Sequence, residues 1–269
     1  MSMCLINCRI KQLINMGKIK VTAVSYLNTK PFLYGILQSP IQNQIALSLD
    51  IPSVCAAKLQ SGEADLGLVP VAVIPQLDTP HIISDYCIGA VGAVKTVCIY
   101  SDVPLEAVKA VYLDYHSRTS VALTQLLLEK YWHLSPILLN STEGYINNIG
   151  GTTAGLVIGD KTIGLDKRFK YVYDLGEIWA KYTSGMSFVF AAWVSNRKLP
   201  SEFITEFNKA LNAGLEHIPQ LIYLLPTQAA GFDLKEYFTH HISYDLDAAK
   251  KLALQRFLKE IGMTTPVAM

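Results

Sequence analysis

Short runs of β-branched and other apolar residues alternate with segments of helical periodicity along most of the chain. This alternation is typical of βαβ units and predicts an α/β fold with mainly parallel sheets. In the first run, Ile19, Val21 and Ala23 take alternate positions, which predicts a strand with a buried face. The polar segment 25–30 follows, and Pro31 suits the first turn of a helix. Ligands of open α/β sheets lie at such strand ends.

The same reasoning predicts further elements along the chain. The predicted strands are 45–49, 64–69, 110–113, 137–139, 155–158 and 171–173. One predicted helix is opened by Pro52 and closed by Gly62, and others cover 121–128, 203–211 and 252–258.

Two long apolar segments indicate how these elements are grouped. Residues 89–100 leave little room for a polar face and predict extended chain that crosses between two lobes, and residues 187–194 predict a buried strand that returns. A ligand cleft is expected where two such lobes meet. The predicted division is a poorly ordered N-terminal extension, 1–17, a first lobe of 18–100 plus 196–269, and a second lobe of 101–195.

Composition narrows the classes of function. Of 269 residues, 51% are apolar and 17% charged, which predicts a compact globular protein. The formal net charge is +1 and there is no basic run, so neither nucleic acid nor an anionic membrane is an expected partner. No window reaches the length of about 18 apolar residues that a membrane span requires.

The cysteines and the N-terminus bear on location. The five cysteines are scattered without a C-x-x-C pair: Cys4, Cys8, Cys55, Cys87 and Cys98. They predict reduced thiols in a cytoplasmic protein and no metal site. Arg9 and Lys11 interrupt the apolar stretch near the start, so no signal peptide is expected.

A set of segments in a fixed order carries a family resemblance. They are Val24-Ser25-Tyr26-Leu27-Asn28-Thr29-Lys30-Pro31, residues 62–71 (GEADLGLVPV), residues 117–123 (SRTSVAL), Ile158-Gly159-Asp160, residues 173–179 (YDLGEIW), residues 188–193 (FVFAAW) and residues 241–246 (HISYDL). With these segments the chain resembles the chorismate dehydratase family of the futalosine route of menaquinone biosynthesis. The resemblance runs from Lys18 to Ile261 and implies the type 2 periplasmic-binding-protein fold used as an enzyme. One departure is Gly185-Met186-Ser187-Phe188, where a proline is expected before the phenylalanine.

The resemblance implies a lyase reaction. The family removes water from chorismate to give 3-[(1-carboxyvinyl)oxy]benzoate, and aromatisation of the ring drives the loss of a ring proton and the neighbouring hydroxyl. It implies that chorismate is the small-molecule partner and that no cofactor or metal is needed. The chain agrees with this, because it has no G-x-G-x-x-G fingerprint and no P-loop. Catalysis then rests on positioning, proton transfer and placement of charge.

The resemblance also suggests catalytic residues. Asn28 is expected to orient the substrate hydroxyl or hold a carboxylate, although a turn residue bonding its own backbone is the alternative. Asp160 ends an apolar strand and is expected to accept a proton or to orient Asn28 or a water, with a helix N-cap as the alternative. No side chain stands out as a strong base, which leaves the substrate's own carboxylate as a candidate acceptor. His116 is interpreted as a loop histidine.

Substrate-binding residues are expected at three places, because chorismate carries two carboxylates. Ser25 and Thr29 flank Asn28 and can donate to a carboxylate or cap the next helix. The segment Ser117-Arg118-Thr119-Ser120 precedes an apolar helix and predicts an anion site at its N-terminus, with an ordinary N-cap and a surface Arg118 as the alternative. Thr96 is expected to donate to the second carboxylate or the ether oxygen, or to pack in a strand.

Aromatic residues and competing functions complete the predictions. Tyr26, Phe188, Phe190 and Trp193 are candidates to wall the cleft, although most are expected in the core. One competing function is a sister enzyme of the same route that acts on cyclic dehypoxanthine futalosine; another is a solute-binding protein for a small anion. The absence of an export signal and of an L-x-x-C lipid-anchor context argues against the latter.

Overall fold

The computed structural model describes residues 17–226, 228–229 and 231–262. The strands are β1 (Ile19–Val24), β2 (Ile45–Asp50), β3 (Leu66–Pro70), β4 (His81–Ala90), β5 (Val97–Ser101), β6 (Ala110–Leu113), β7 (Ile137–Asn140), β8 (Thr153–Ile158), β9 (Tyr171–Asp174), β10 (Phe188–Ser195) and β11 (Ser243–Asp245). Apart from Gly17, the predicted N-terminal extension lies outside the described residues, and so do Cys4 and Cys8.

Helices separate most of these strands. The α-helices are α1 (Lys30–Gln38), α2 (Pro52–Gln60), α3 (Thr119–Lys130), α4 (Leu175–Tyr182), α5 (Ser201–Glu216), α6 (Ile218–Leu224), α7 (Leu234–Glu236) and α8 (Ala248–Glu260). Short 3₁₀ turns cover Leu27–Thr29, Pro40–Asn43, Val71–Gln76, Leu105–Ala107, Tyr145–Asn148, Gly159–Thr162 and Leu165–Lys167, and a π-helical turn covers Tyr237–His241. Proline occupies the first turn of α1 and of α2, as predicted from Pro31 and Pro52.

The strands form two mixed sheets, one in each lobe. The first lobe contains a sheet of order β11-β4-β10-β3-β1-β2, and the second contains β7-β6-β8-β5-β9. The prediction of an α/β fold is confirmed. The prediction of mainly parallel sheets is wrong, because β10 runs antiparallel to both β3 and β4 and β5 runs antiparallel to both β8 and β9. Antiparallel neighbours do not require the crossover helix that parallel neighbours need.

The positions of the crossings differ from the predicted lobe boundaries. The apolar run 89–100 holds the end of β4 and most of β5, which belong to different sheets, and the crossing itself is 91–96. The return crossing is 183–187, because β10 lies in the sheet of the first lobe. The mostly apolar sequence of 89–100 hides the break between β4 and β5, since strands buried on both faces lack alternation.

Both crossings contain residues in the left-handed region. Gly92 and Lys95 have φ of 82° and 67° in the first crossing, and Ser184 and Gly185 have φ of 60° and 102° in the second. A non-glycine residue rarely adopts this conformation. The carboxylate of Asp174 accepts hydrogen bonds from Val94 N at 3.1 Å and Lys95 N at 2.7 Å, which fixes the first crossing against the second lobe.

The first lobe anchors the turn that precedes α1. In α1, Gly35 faces Gly214 of α5, and a Cβ at Gly35 would lie 1.9 Å from the carbonyl oxygen of Ala210. The two helix backbones therefore touch directly. Phe32 of α1 is fully buried and packs edge-on against Trp193 of β10. These contacts hold the start of α1 against the sheet.

Candidate active site

Three strand ends meet between the lobes. The turn 25–29 follows β1 of the first lobe, whereas 114–118 follows β6 and 159–162 follows β8 of the second. All three are carboxyl ends of strands, where open α/β sheets bind ligands. Most of the polar residues predicted from the sequence fall in these turns, and Thr119 and Ser120 begin the helix that follows the second turn. Two separate lobes therefore supply one candidate site.

Asn28 is held by one residue distant in sequence and by its neighbour. Its backbone oxygen accepts a hydrogen bond from the hydroxyl of Tyr244 at 3.0 Å. Its side-chain Oδ1 accepts one from Thr29 Oγ1 at 3.2 Å. An amide has two N–H donors, and donation by Thr29 to Oδ1 leaves both of them for other partners. Asn28 therefore faces the cleft as a hydrogen-bond donor.

Asp160 joins the second lobe to the residue before Asn28. Its oxygens accept a hydrogen bond from Leu27 N at 2.9 and 3.1 Å. Burial raises the pKa of the Asp160 carboxyl, while the hydrogen bond from Leu27 and the charge of Lys30 lower it. The carboxylate thus holds the Asn28 turn, and of its predicted roles this contact fits the orienting one.

A second contact between the lobes lies beside it. The hydroxyl of Tyr26 is 2.5 Å from Nδ1 of His116, and the two rings stack. Burial, followed by the positive charge of Lys161, lowers the pKa of His116, and Asp114 opposes this. The neutral imidazole is therefore favoured, and it offers either an N–H donor or a lone pair to Tyr26.

Asp114 organises the turn that carries His116. It is fully buried and pairs with Lys161, whose Nζ lies 2.8 Å from Asp114 Oδ2. It also accepts hydrogen bonds from the hydroxyl of Tyr145 at 2.9 Å and from Ile158 N and His116 N, each at 3.0 Å. These donors and the ion pair with Lys161 compensate for the desolvation of the buried carboxylate, and they hold the turn 114–118 in one conformation.

The N-terminus of α3 points into the cleft. Ser117 Oγ accepts a hydrogen bond from Ser120 N at 3.0 Å, and Thr119 Oγ1 accepts one from Ala72 N of the first lobe at 3.2 Å. Each hydroxyl keeps its own O–H for donation. Together with the partial positive charge of the helix end, these donors favour an anion.

Thr96 lies at the end of the first crossing. It is buried, and its Oγ1 lies 2.9 Å from the hydroxyl of Tyr237 and 3.5 Å from Val94 O. Its backbone oxygen accepts a hydrogen bond from Gly159 N at 2.8 Å. Thr96 therefore connects the crossing, the second lobe and the π-helical turn.

These elements enclose a cavity of about 60 Å³ between the lobes. Its polar lining residues are Asn28, Thr96, Ser117, Thr119 and Ser120, and apolar residues, including Tyr26, Phe190, Ile88, Val94 and Ile158, form the walls. Among the described lining residues there is no Lys or Arg. An anion in this cavity would therefore be held by neutral donors and the helix end.

The remaining predicted residues lie outside this lining. Ser25, Thr29 and Asp160 are behind it, and Thr29 and Asp160 bond the turn rather than face the cavity. Arg118 is exposed and lies on a separate surface groove with Glu129 and Lys130. Of the aromatic candidates, Tyr26 and Phe190 line the cavity, whereas Phe188 and Trp193 belong to the core.

A larger cavity, about 420 Å³, lies behind the first crossing. Three of its acidic side chains have partners: Asp174 caps α4, Asp233 caps α7 and Glu236 lies 3.4 Å from Nε2 of His241. The predicted site residues do not converge there. The smaller cavity is therefore the candidate active site.

Sequence reasoning missed two tyrosines of this site. Tyr237 and Tyr244 contact Thr96 and Asn28 across 141 and 216 residues of chain. Single-sequence patterns report local periodicity, so they contain no signal for such contacts. Tyr244 lies within the segment 241–246 that carried the family resemblance, which is the one indication available.

The described part of the chain contains no helix long and apolar enough to cross a membrane. Nor does any group of three or more His, Cys, Asp or Glu side chains within it form a candidate metal site.

The sequence is similar to that of a known protein family over most of its length. A sequence profile of the family described as menaquinone biosynthesis matches residues 19–262. A chorismate dehydratase from Thermus thermophilus is 24% identical over 234 residues, which cover 79% of this chain and 85% of that protein.

Solved structures share the two-lobed architecture. Protein AF1704 from Archaeoglobus fulgidus has a TM-score of 0.70 at 14% identity, covering 91% of this chain and 97% of that one. The Candida albicans CA3427 gene product, described as having the generic periplasmic binding protein fold, has a TM-score of 0.58 at 12% identity and covers 92% and 90% of the two chains. At such identities these likenesses concern the fold alone, and they confirm the periplasmic-binding-protein-like fold.

Proposed function

Because the chain belongs to the menaquinone biosynthesis family, we propose that it is a lyase that dehydrates chorismate to 3-[(1-carboxyvinyl)oxy]benzoate. The curated relative from Thermus thermophilus bears the name of that reaction and supports it. The proposal assigns the reaction to the cavity between the lobes. A cytoplasmic location and the absence of a cofactor stay predictions that go with it.

The observation that carries the proposal is the convergence of donors in one apolar-walled cleft. Asn28 comes from the first lobe, Thr96 from the crossing, and Ser117, Thr119 and Ser120 from the second lobe. Chorismate has two carboxylates and a ring, so it needs hydrogen-bond donors at two places and apolar walls between them. The cleft provides this arrangement without a cationic side chain.

We assign one carboxylate to the α3 N-terminus and the other to Thr96. The N–H groups of Asn28 then face the ring hydroxyl, whose departure leaves negative charge on oxygen. Preorganised donors aimed at developing charge are usually the largest contribution to catalysis. The C–H bond of the ring breaks, its proton passes to the substrate's own carboxylate as the candidate acceptor, and its electron pair enters the ring. The C–O bond breaks with its electron pair on oxygen, so that proton and hydroxide leave as one water and the ring becomes aromatic.

Substrate entry requires the lobes to separate. A cavity of about 60 Å³ holds little more than one or two waters, whereas ligand pockets are typically about 300–1,000 Å³. The crossings 91–96 and 183–187 are where backbone rotation can open the cleft, since each is a short connection outside the sheets. Closure then excludes water and brings Asn28 to the α3 N-terminus.

The proposal is tested by incubating the purified protein with chorismate in the absence of added metal or nucleotide. Chromatography with mass detection should show a product lighter than chorismate by one water. Chorismate that persists at its spontaneous rate of decay would contradict the proposal. A parallel incubation with cyclic dehypoxanthine futalosine distinguishes the sister enzyme, and a binding measurement with chorismate distinguishes a binding protein.

A further inference from the structure

The hydroxyl of Tyr237 lies directly behind the candidate active site. Tyr237 starts the π-helical turn, is 1% exposed, and is absent from the residues that line the cleft. Its hydroxyl oxygen lies 2.9 Å from Thr96 Oγ1, which does line the cleft. Tyr237 therefore contacts a cleft residue without being accessible to a ligand in the cleft.

The protonation of this hydroxyl matters for the direction of its hydrogen bond. Burial raises the pKa of Tyr237, and Thr96 lowers it. The phenol is therefore neutral, and a buried O–H must place its proton on an acceptor.

The need for an acceptor sets the direction of the hydrogen bond to Thr96. Thr96 Oγ1, at 2.9 Å, is the hydrogen-bond partner of the Tyr237 hydroxyl in the described part of the chain, so the phenolic O–H donates to it. Thr96 then has its O–H free. Its other protein acceptor, Val94 O, is at the long distance of 3.5 Å. The hydroxyl of Thr96 is thus available as a donor to the cleft.

We infer that Tyr237 is a positioning residue that sets Thr96 as a donor toward a bound carboxylated substrate. The inference rests on the proposed function, because it assigns that donor to chorismate. The hydrogen bond from Tyr237 polarises and orients the hydroxyl of Thr96, and a donor oriented in advance costs no reorganisation during the reaction.

The π-helical turn gives this role a structural basis. Tyr237 and Phe238 are both buried, whereas Thr239 and His240 are exposed. Tyr244, in β11 three residues after the turn, donates to the backbone oxygen of Asn28 at 3.0 Å. The segment 237–244 therefore supplies one tyrosine for the hydroxyl of Thr96 and one for the backbone of Asn28. π-Helical turns are frequent at functional sites.

The test is the steady-state kinetics of Tyr237→Phe with chorismate. The variant keeps the ring and removes only the hydroxyl. We expect kcat to fall about 10-fold, the size of one orienting hydrogen bond, with KM changed by less than about 3-fold. Tyr100→Phe is the matched control, since Tyr100 is also a buried tyrosine and its hydroxyl contacts Thr162 O, at 3.5 Å, away from the cleft. It should retain the kcat of the unmodified protein.

A double-mutant cycle adds a readout that a purely structural role would not change. In a Thr96→Val background the Tyr237→Phe exchange should cost about 2-fold or less in kcat, because the hydroxyl that Tyr237 orients is gone. Equal costs in both backgrounds would overturn the inference. So would wild-type kcat in Tyr237→Phe, or a Tyr237→Phe protein that does not fold, since the hydroxyl would then serve stability.

The unmodified protein distinguishes a failure of the proposed function from a failure of this inference. If the unmodified protein leaves chorismate unchanged, the proposed reaction is contradicted and the inference falls with it. If the unmodified protein converts chorismate and Tyr237→Phe does so equally well, only the role of Tyr237 is overturned.

Discussion

The backbone N–H of Leu27 in the first lobe donates to both carboxylate oxygens of Asp160 in the second, at 2.9 and 3.1 Å. Leu27 directly precedes Asn28. The contact therefore ties the closed arrangement of the lobes to the placement of the proposed catalytic amide. Tyr26 and His116 make the neighbouring contact between the lobes. Closure of the two lobes therefore also brings the residues of the candidate site together.

Replacing Asp160 separates its charge from its role as acceptor. Asp160→Ala leaves Leu27 N without its partner, and we expect kcat/KM for chorismate to fall about 10-fold or more. Asp160→Asn keeps an accepting oxygen and should retain most of that activity. Asp102→Ala is the matched control, because Asp102 also accepts a backbone hydrogen bond, from Gly151 N at 3.1 Å, away from the cleft. An Asp160→Asn protein as impaired as Asp160→Ala would show that the charge itself is required.

The lowered pKa of His116 predicts how stability depends on pH. A base whose pKa is lower in the folded state binds protons more readily when unfolded, so stability rises with pH. This contribution is fully present above the ordinary histidine pKa of about 6.5 and is lost as pH falls toward the lowered folded value. Urea unfolding at a series of pH values should show that loss for the unmodified protein. His116→Phe, which keeps a ring against Tyr26, should lack this component, and an unchanged pH dependence would refute the assignment.

Gly159 is required at its position for two reasons that can be separated. Its φ is +66°, and a Cβ there would lie 2.6 Å from the ring of Tyr26. Gly164 has φ of +84° but its Cβ would meet only Ala229, at 3.5 Å. Gly164→Ala should therefore cost only the backbone strain, about 1–2 kcal/mol of unfolding free energy. Gly159→Ala should cost about 1–3 kcal/mol more and raise KM, because the ring of Tyr26 must move. Equal costs in thermal unfolding would contradict the contact between the lobes.

Much of the fold follows from local pattern. The strand at 110–113 and the helices that begin at Pro31 and Pro52 appear as predicted, because periodicity and proline report local structure. The antiparallel course of β5 and β10 does not follow from it, since strands buried on both faces look alike whatever their direction.

Part of the candidate site was also predictable from the sequence. Polar residues that follow an apolar run give a local signal, and five of those predicted in this way line the cleft: Asn28, Thr96, Ser117, Thr119 and Ser120. Arg118 shares that signal, but helical geometry turns its side chain to solvent. Tyr237 gave no signal, because a tyrosine in an amphipathic stretch is equally suited to the core. Its place behind Thr96 depends on the way the C-terminal segment packs on the crossing.

The central claim is that Asn28 acts on chorismate in the cleft between the lobes. The most direct measurement is the rate of product formation by the unmodified protein and by Asn28→Ala, with the exposed Asn43→Ala as control. Removal of one preorganised donor should lower kcat by about 10²–10³-fold while thermal unfolding stays unchanged. Asn43→Ala should match the unmodified protein. Formation of the dehydrated product by Asn28→Ala at the unmodified rate would contradict the account.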